Sequence, residues 1–152
     1  MTFFIGFVDD NRLVESPERI DEFQVGRIVI GEFEEWFESP LAYWSIEDYR
    51  AHWRRSIERT IAGAAKSVLF TSMYEPQCTN WLLCWPLYRE RGIVYVQNQM
   101  LFMEGIASEF DPTNPYRHIQ DRETIDEEGR RISEWKTTVE DLRGFFRTLS
   151  SG

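Results

Sequence analysis

The chain has 152 residues, 26 of them acidic and 17 basic, for a formal net charge of -9. Six Trp, six Tyr and eleven Phe within a 42% hydrophobic composition exclude a disordered acidic tail and imply one packed domain spanning residues 1–152. No apolar run approaches the roughly 20 residues needed to cross a bilayer, the start Met1–Gly6 lacks the basic residues and cleavage site of a signal peptide, and charge of this sign opposes a phosphate backbone, so the expectation is a cytoplasmic protein that binds neither membrane nor nucleic acid.

Thr2–Val8 reads as a strand, because β-branched and aromatic residues run up to the turn signal Asp9-Asp10-Asn11. Residues 9–22 are a polar connection, with Ser16-Pro17 suited to an N-cap and first helical position. Alternation around Ile28 and Ile30 predicts a strand over 24–30. Residues 31–37 continue it through a bulge at Gly31, with a helix over 33–37 as the alternative. At Ser45 and Asp48 the spacing is that of a capping box, and Trp44 can staple onto Tyr49. Ile46, Tyr49, Trp53, Ile57 and Ile61 then line one face of a helix that stops at Gly63. Ser67–Tyr74, Trp81–Tyr88 and Ile93–Phe102 follow as strands joined by short turn-rich links, hence antiparallel. Pro86 must sit at a bulge or an unpaired position. Residues 105–130, with Asp111-Pro112 and Asn114-Pro115, form a long irregular excursion of the kind that often carries function. Arg131–Lys136 is a last strand and Thr138–Leu149 a closing helix. The sum is an α+β domain, a mostly antiparallel sheet of about five to six strands with two main helices packed on it.

The negative charge is concentrated at one end. Residues 1–40 hold ten acids against three arginines, a net of -7, whereas 41–110 balance and 111–152 contribute -2. Such a region is either a solvated surface that aids solubility or one that steers a basic partner.

Motifs for chemistry are weak. His52 has no imidazole or carboxylate at i+4 and reads as a surface or boundary histidine. His118 has Asp111, Asp121 and Glu123 near it in sequence, acids that turn formation and solvation explain better than metal binding. Cys78 and Cys84 match no common zinc spacing and read as small buried hydrophobes. Neither a nucleophile elbow nor a phosphate loop is present, and neighbouring acids such as Glu34 and Glu35 would point to opposite faces of a strand. No cofactor or metal is expected. Trp81, Leu83 and Trp85 share one face of their strand and Leu82, Cys84 and Pro86 the other, which places that strand centrally with core packing on both sides. The amides Gln97-Asn98-Gln99 then interrupt a dry segment, so either one sheet face is open or they meet partners.

Phe4–Ser16, Leu41–Tyr49, Phe110–Tyr116, Asp121–Thr124 and Ile132–Trp135 together give the chain a likeness over nearly its whole length. It resembles the immunity proteins of contact-dependent growth inhibition (CDI) systems, the CdiI type. The resemblance implies a cytosolic, non-enzymatic inhibitor that binds the C-terminal toxin domain of a CdiA-type effector; the chain itself is expected to be a monomer or weak dimer. Many such toxins are nucleases with basic clefts, which an acidic inhibitor can occupy in place of nucleic acid. The expected contact residues are Asp9, Asp10, Asp21, Glu22, Glu34, Glu35 and Trp36, with Asp111, Tyr116, Asp121 and Glu123 from the long loop; Trp135 is a further candidate anchor. Two other readings stay open: a small hydrolase or transferase using His118 with loop carboxylates, and an adaptor subunit for a non-toxin protein.

Overall fold

A computed structural model describes residues 2–8 and 23–150. Asp9, Asp10, Asp21 and Glu22, together with the Ser16-Pro17 start signal, lie outside the described residues. In chain order the elements are β1 (Phe3–Phe7), β2 (Phe23–Ile30), β3 (Phe33–Pro40), α1 (Ile46–Ala62), β4 (Lys66–Ser72), β5 (Trp81–Glu90), β6 (Ile93–Gln97), β7 (Gln99–Phe102), β8 (Glu134–Thr138) and α2 (Val139–Ser150). The α+β class, the two helices and the antiparallel pairing agree with the sequence. The strands divide between two sheets, β1-β2-β3 and β4-β5-β6-β8, with β7 also on β5.

Two strand expectations are corrected. Residues 31–37 do not extend the second strand: Ile30 pairs with Phe33, and Gly31, at φ +64, opens a two-residue turn that reverses the chain into β3. A positive φ at the first turn position is what this class of hairpin requires, and glycine adopts it without steric cost. Ile93–Phe102 is also broken, at Asn98, although β6 and β7 keep one register against β5. The break has a physical reason. The Met103 N–H donates to the Asn80 carbonyl, so alternate pairs along β5 bond on that side, and the Pro86 nitrogen falls where an N–H should meet the Gln97 carbonyl. With no hydrogen to donate, Pro86 leaves the ladder open there.

The helix α1 is built as its sequence requires. The Asp48 N–H donates to Ser45 Oγ (3.1 Å) and the Ser45 N–H to Asp48 Oδ2 (2.9 Å); Trp44 packs edge-on against Tyr49; and Gly63, at φ +118, ends the last turn. Its buried face has a second task. β4 is an edge strand of its sheet, and α1 satisfies its outer backbone groups: the Phe70 N–H donates to His52 Nε2 (2.9 Å), Trp53 Nε1–H to the Phe70 carbonyl (2.8 Å), and the Met73 N–H to Tyr49 Oη (3.0 Å). A covered edge cannot recruit a foreign strand. His52 is therefore fully buried, not a surface or boundary residue.

One aromatic core joins the layers. Phe33 stacks on Trp135 at 3.9 Å and approaches Trp85, Ser39 Oγ–H donates to the Thr71 carbonyl (2.6 Å), and Phe145 of α2 meets Phe3 and Phe4 edge-on. The opposite face of β5, with Leu82 and Cys84, is covered by the long loop through Met103, Phe110 and Ile119. Cys84 is buried, which pushes its thiol up to about 12. Cys78 is exposed, contrary to expectation, and its thiol faces the Glu75 carboxylate.

Candidate functional site

The long loop is held to the sheet by the amides that looked out of place in the sequence. Gln97 is fully buried; its Nε2 donates to the Glu123 carbonyl (2.9 Å) and to Glu134 Oε2 (2.8 Å), and Gln99 donates to Gln97 in turn. Arg122 grips Glu134 with two bonds of 2.8 and 2.7 Å, and its Cζ sits over the Tyr95 ring, 3.7 Å from the centroid. Those bonds hold the Glu134 carboxyl below its ordinary range. Tyr88 Oη–H adds a bond to the Gln120 carbonyl. Arg122→Met removes the charged fork and leaves Glu134 half-desolvated, so a loss of about 2–3 kcal/mol is expected, with loop amides losing hydrogen-exchange protection before those of the β4-β5 core. Uniform loss across both regions would count against a local clamp.

Thus anchored, the loop presents its acids outward. Asp121, Glu123, Asp126 and Glu127 line an open groove beside Lys66, and Lys66 Nζ pairs with Asp121 Oδ1 (3.0 Å). A half-open cleft of about 560 Å³ adjoins it, bounded by Asp126, Glu127, Glu128 and Arg130 on the loop and by Met100 and Phe102 on β7. Across the two hollows, five acids stand against Lys66 and Arg130. His118 also lines the cleft, where Nε2 accepts a bond from Arg117 Nε (3.2 Å). Asp126 is occupied with shaping its own turn, accepting from the Glu128 and Arg130 backbone N–H groups, which holds its carboxyl low. No group of three or more His, Cys, Asp or Glu able to hold a metal occurs among the described residues.

The expected contact residues are dispersed. Glu34 and Trp36 share the outer face of β3, where Trp36 Nε1–H donates to Glu34 (3.2 Å) and Arg27 reaches both the Glu34 carboxylate and the Trp36 ring. Glu35 points the other way and accepts from Asn98 Nδ2 (3.5 Å), the opposite-face geometry that alternation requires. Asp121 and Glu123 are exposed on the loop. Asp111 instead takes both the N–H and the hydroxyl of Thr113 and builds a turn. Tyr116 is buried beneath Arg59, its hydroxyl 3.2 Å from Ser56 Oγ. Trp135 is half-buried in the stack on Phe33. Asp126–Glu128 fall within the 111–128 loop that the sequence reading gave to the contact, though it did not single them out, and it placed Trp81 and Leu83 in the core, whereas both are exposed at one end of β5.

Comparison with known proteins gives this arrangement a family. A family model described as the CdiI N-terminal domain matches residues 39–145. A relative named "Immunity protein CdiI", from Enterobacter cloacae subsp. cloacae, is 39% identical over 128 residues, 84% of this chain and 88% of that protein. Among solved structures, a chain of the "CdiA-CT/CdiI toxin and immunity complex from Enterobacter cloacae" superposes with a TM-score of 0.86 at 35% identity, covering 99% of this chain and 100% of that one. With sequence and fold in agreement over nearly the full length, the chain belongs to the family of CdiI immunity proteins.

Proposed function

We propose that this chain binds and neutralises the C-terminal toxin domain of a CdiA-type effector inside the cell that makes both, acting over residues 1–152 as one binding domain and catalysing no reaction. The observation that carries this reading is the end-to-end match to a chain of a toxin and immunity complex. The charge distribution supports it: a net of -9 with the excess in residues 1–40, and an acidic loop groove, suit a basic partner such as a nuclease. Asp9, Asp10, Asp21 and Glu22, with Glu34, Glu35, Trp36, Asp121 and Glu123, are the residues we assign to that contact; of the described ones, Glu34 and Trp36 lie on one face of β3, Glu35 on the other and Asp121 and Glu123 on the loop, while Asp111 and Tyr116 shape that loop.

A reaction at His118 is the alternative, favoured by the cleft it lines. Against it, His118 Nε2 already accepts a bond from Arg117, and Asp126 is engaged by the backbone of its own turn, so among the described residues neither group stands free to take a substrate proton.

Co-expression with the toxin domain should rescue growth, and the two proteins should co-purify. Reversing Asp9, Asp10, Asp21 and Glu22 together should slow association about tenfold at low salt and flatten its ionic-strength dependence. Failure to rescue or to bind the toxin would refute the function, and unchanged association kinetics would remove the acidic segment from the contact.

A further inference from the structure

Among the described residues, one end of the five-stranded sheet is apolar and uncovered. Trp81 and Leu83 of β5 are 39% and 37% exposed, and their cross-strand partners on β7, Phe102 and Met100, are 61% and 44% exposed. The β1-β2-β3 sheet covers this face as far as Trp85, where Phe33 packs, and Glu35 marks its margin through Asn98. Isolated exposed rings are ordinary, but two stacked cross-strand pairs form a patch, and patches of this kind mark interaction surfaces.

The edge of the same ribbon is open. Among the described residues β7 pairs with β5 alone, because β8 reaches only as far as Gln97. The Met103–Asn80 bond fixes the alternation: Gln99 and Leu101 direct their backbone groups at β5, while Met100 and Phe102 direct an N–H and a carbonyl each outward. Natural sheets block such edges with lysine, proline, a bulge or a covering element, as α1 does for β4. Here the side chains beside the free donors and acceptors are Met and Phe.

We propose that β7 is where the toxin domain docks, by adding an extended segment to this edge with apolar side chains over Trp81 and Phe102 and basic side chains toward Glu35 and the Asp126–Glu128 turn. This deepens the toxin-binding reading above and rests on it. Charge selects the occupant. Asp126, Glu127 and Glu128 border the same edge as Met100 and Phe102; Arg130 pairs with Asp126 and Glu128, so the turn keeps an acidic excess, and a second copy of this chain would bring its own -9 against it, whereas a basic segment is attracted. Strand addition supplies backbone bonds for affinity and alternate side chains for specificity.

Two variants test this. Met100→Pro deletes an N–H that serves no bond to β5, a substitution edge strands tolerate, and Phe102→Lys places a cation on an exposed apolar position. Titration of each against the purified cognate toxin domain, beside wild type, should show affinity lowered about 10- to 100-fold with the melting temperature of Phe102→Lys unchanged; Phe102→Lys carries the test alone if Met100→Pro unfolds. Wild-type affinity in both variants overturns the docking surface while leaving toxin binding standing. Absence of binding by wild type itself overturns the underlying function as well. Loss of a dimer in sedimentation, with toxin affinity intact, assigns the edge to a second copy and overturns the proposal.

Discussion

Trp53→Ala is expected to lower the unfolding free energy by about 5 kcal/mol. The indole is 2% exposed, packs against Phe7 and Phe37 from the three-stranded sheet, and donates Nε1–H to the Phe70 carbonyl on the edge of the five-stranded sheet. Truncating a buried tryptophan costs about 3–5 kcal/mol through lost contact and the cavity left behind. The buried carbonyl that loses its donor adds about 1–3 kcal/mol. Trp53→Phe separates the two contributions: it keeps most of the ring contact and loses the bond, so about 2 kcal/mol is expected. Against a typical total of about 5–15 kcal/mol, the alanine variant is expected to be largely unfolded at modest urea concentrations. Equal midpoints for Trp53→Ala and wild type in urea unfolding would show that α1 does not tie the two sheets together.

The elements legible in the sequence are those encoded within a few residues of chain. The Ser45/Asp48 box and the Gly63 stop fix α1 at both ends by bonds that span three to five residues, and the run of rings in Phe3–Phe7 could hardly be other than a strand. What escaped was set by contacts distant in sequence. A glycine at positive φ serves a bulge or a two-residue turn equally well, and the choice of a turn at Gly31 rests on β3 finding its place beside β2. His52 lies one position before the apolar stripe of α1, which a helical projection reads as a boundary. Its burial follows from the unmet donor of Phe70, eighteen residues away.

The site divides along the same line. Acids can be counted, so the surplus in residues 1–40 and the exposed Asp121 and Glu123 were readable. Whether a given acid is free to meet a partner depends on local geometry: Asp111 and Asp126 have the same composition signal as Asp121, yet both close turns. The reverse error concerns Trp81 and Leu83. Alternation correctly put them on the face of Trp85, but nothing in β5 records that the covering sheet ends at the level of Phe33 and Glu35. The apolar end of β5 and β7 was therefore invisible as a surface until the second sheet had been placed.

Acid should weaken the fold through His52 well before the carboxylates titrate. Because Nε2 accepts the Phe70 N–H, the imidazole must be neutral with its proton on Nδ1, an atom that is buried and has no hydrogen-bond partner. Protonating Nε2 would turn the acceptor into a second donor aimed at an N–H. Burial, reinforced by the nearby Arg55 charge, lowers the His52 pKa to about 3, against about 6.5 in an unfolded chain. Between those values the unfolded state binds the additional proton, so stability is fully present above pH 6.5 and is lost as pH falls toward 3, at about 1.4 kcal/mol per pH unit. By pH 5 the loss should be about 2 kcal/mol. The Glu134 carboxyl, held low by Arg122, contributes stability that disappears only below its ordinary range near 4.5, outside the window from pH 6.5 to 5. His52→Gln offers an amide oxygen to the Phe70 N–H and carries no titrating proton. It should unfold at nearly the same urea concentration at pH 7.5 and pH 5, while wild type shifts downward. An equal shift in both proteins would mean that the imidazole takes up its proton in the folded state, and that the bond to Phe70 does not hold it neutral.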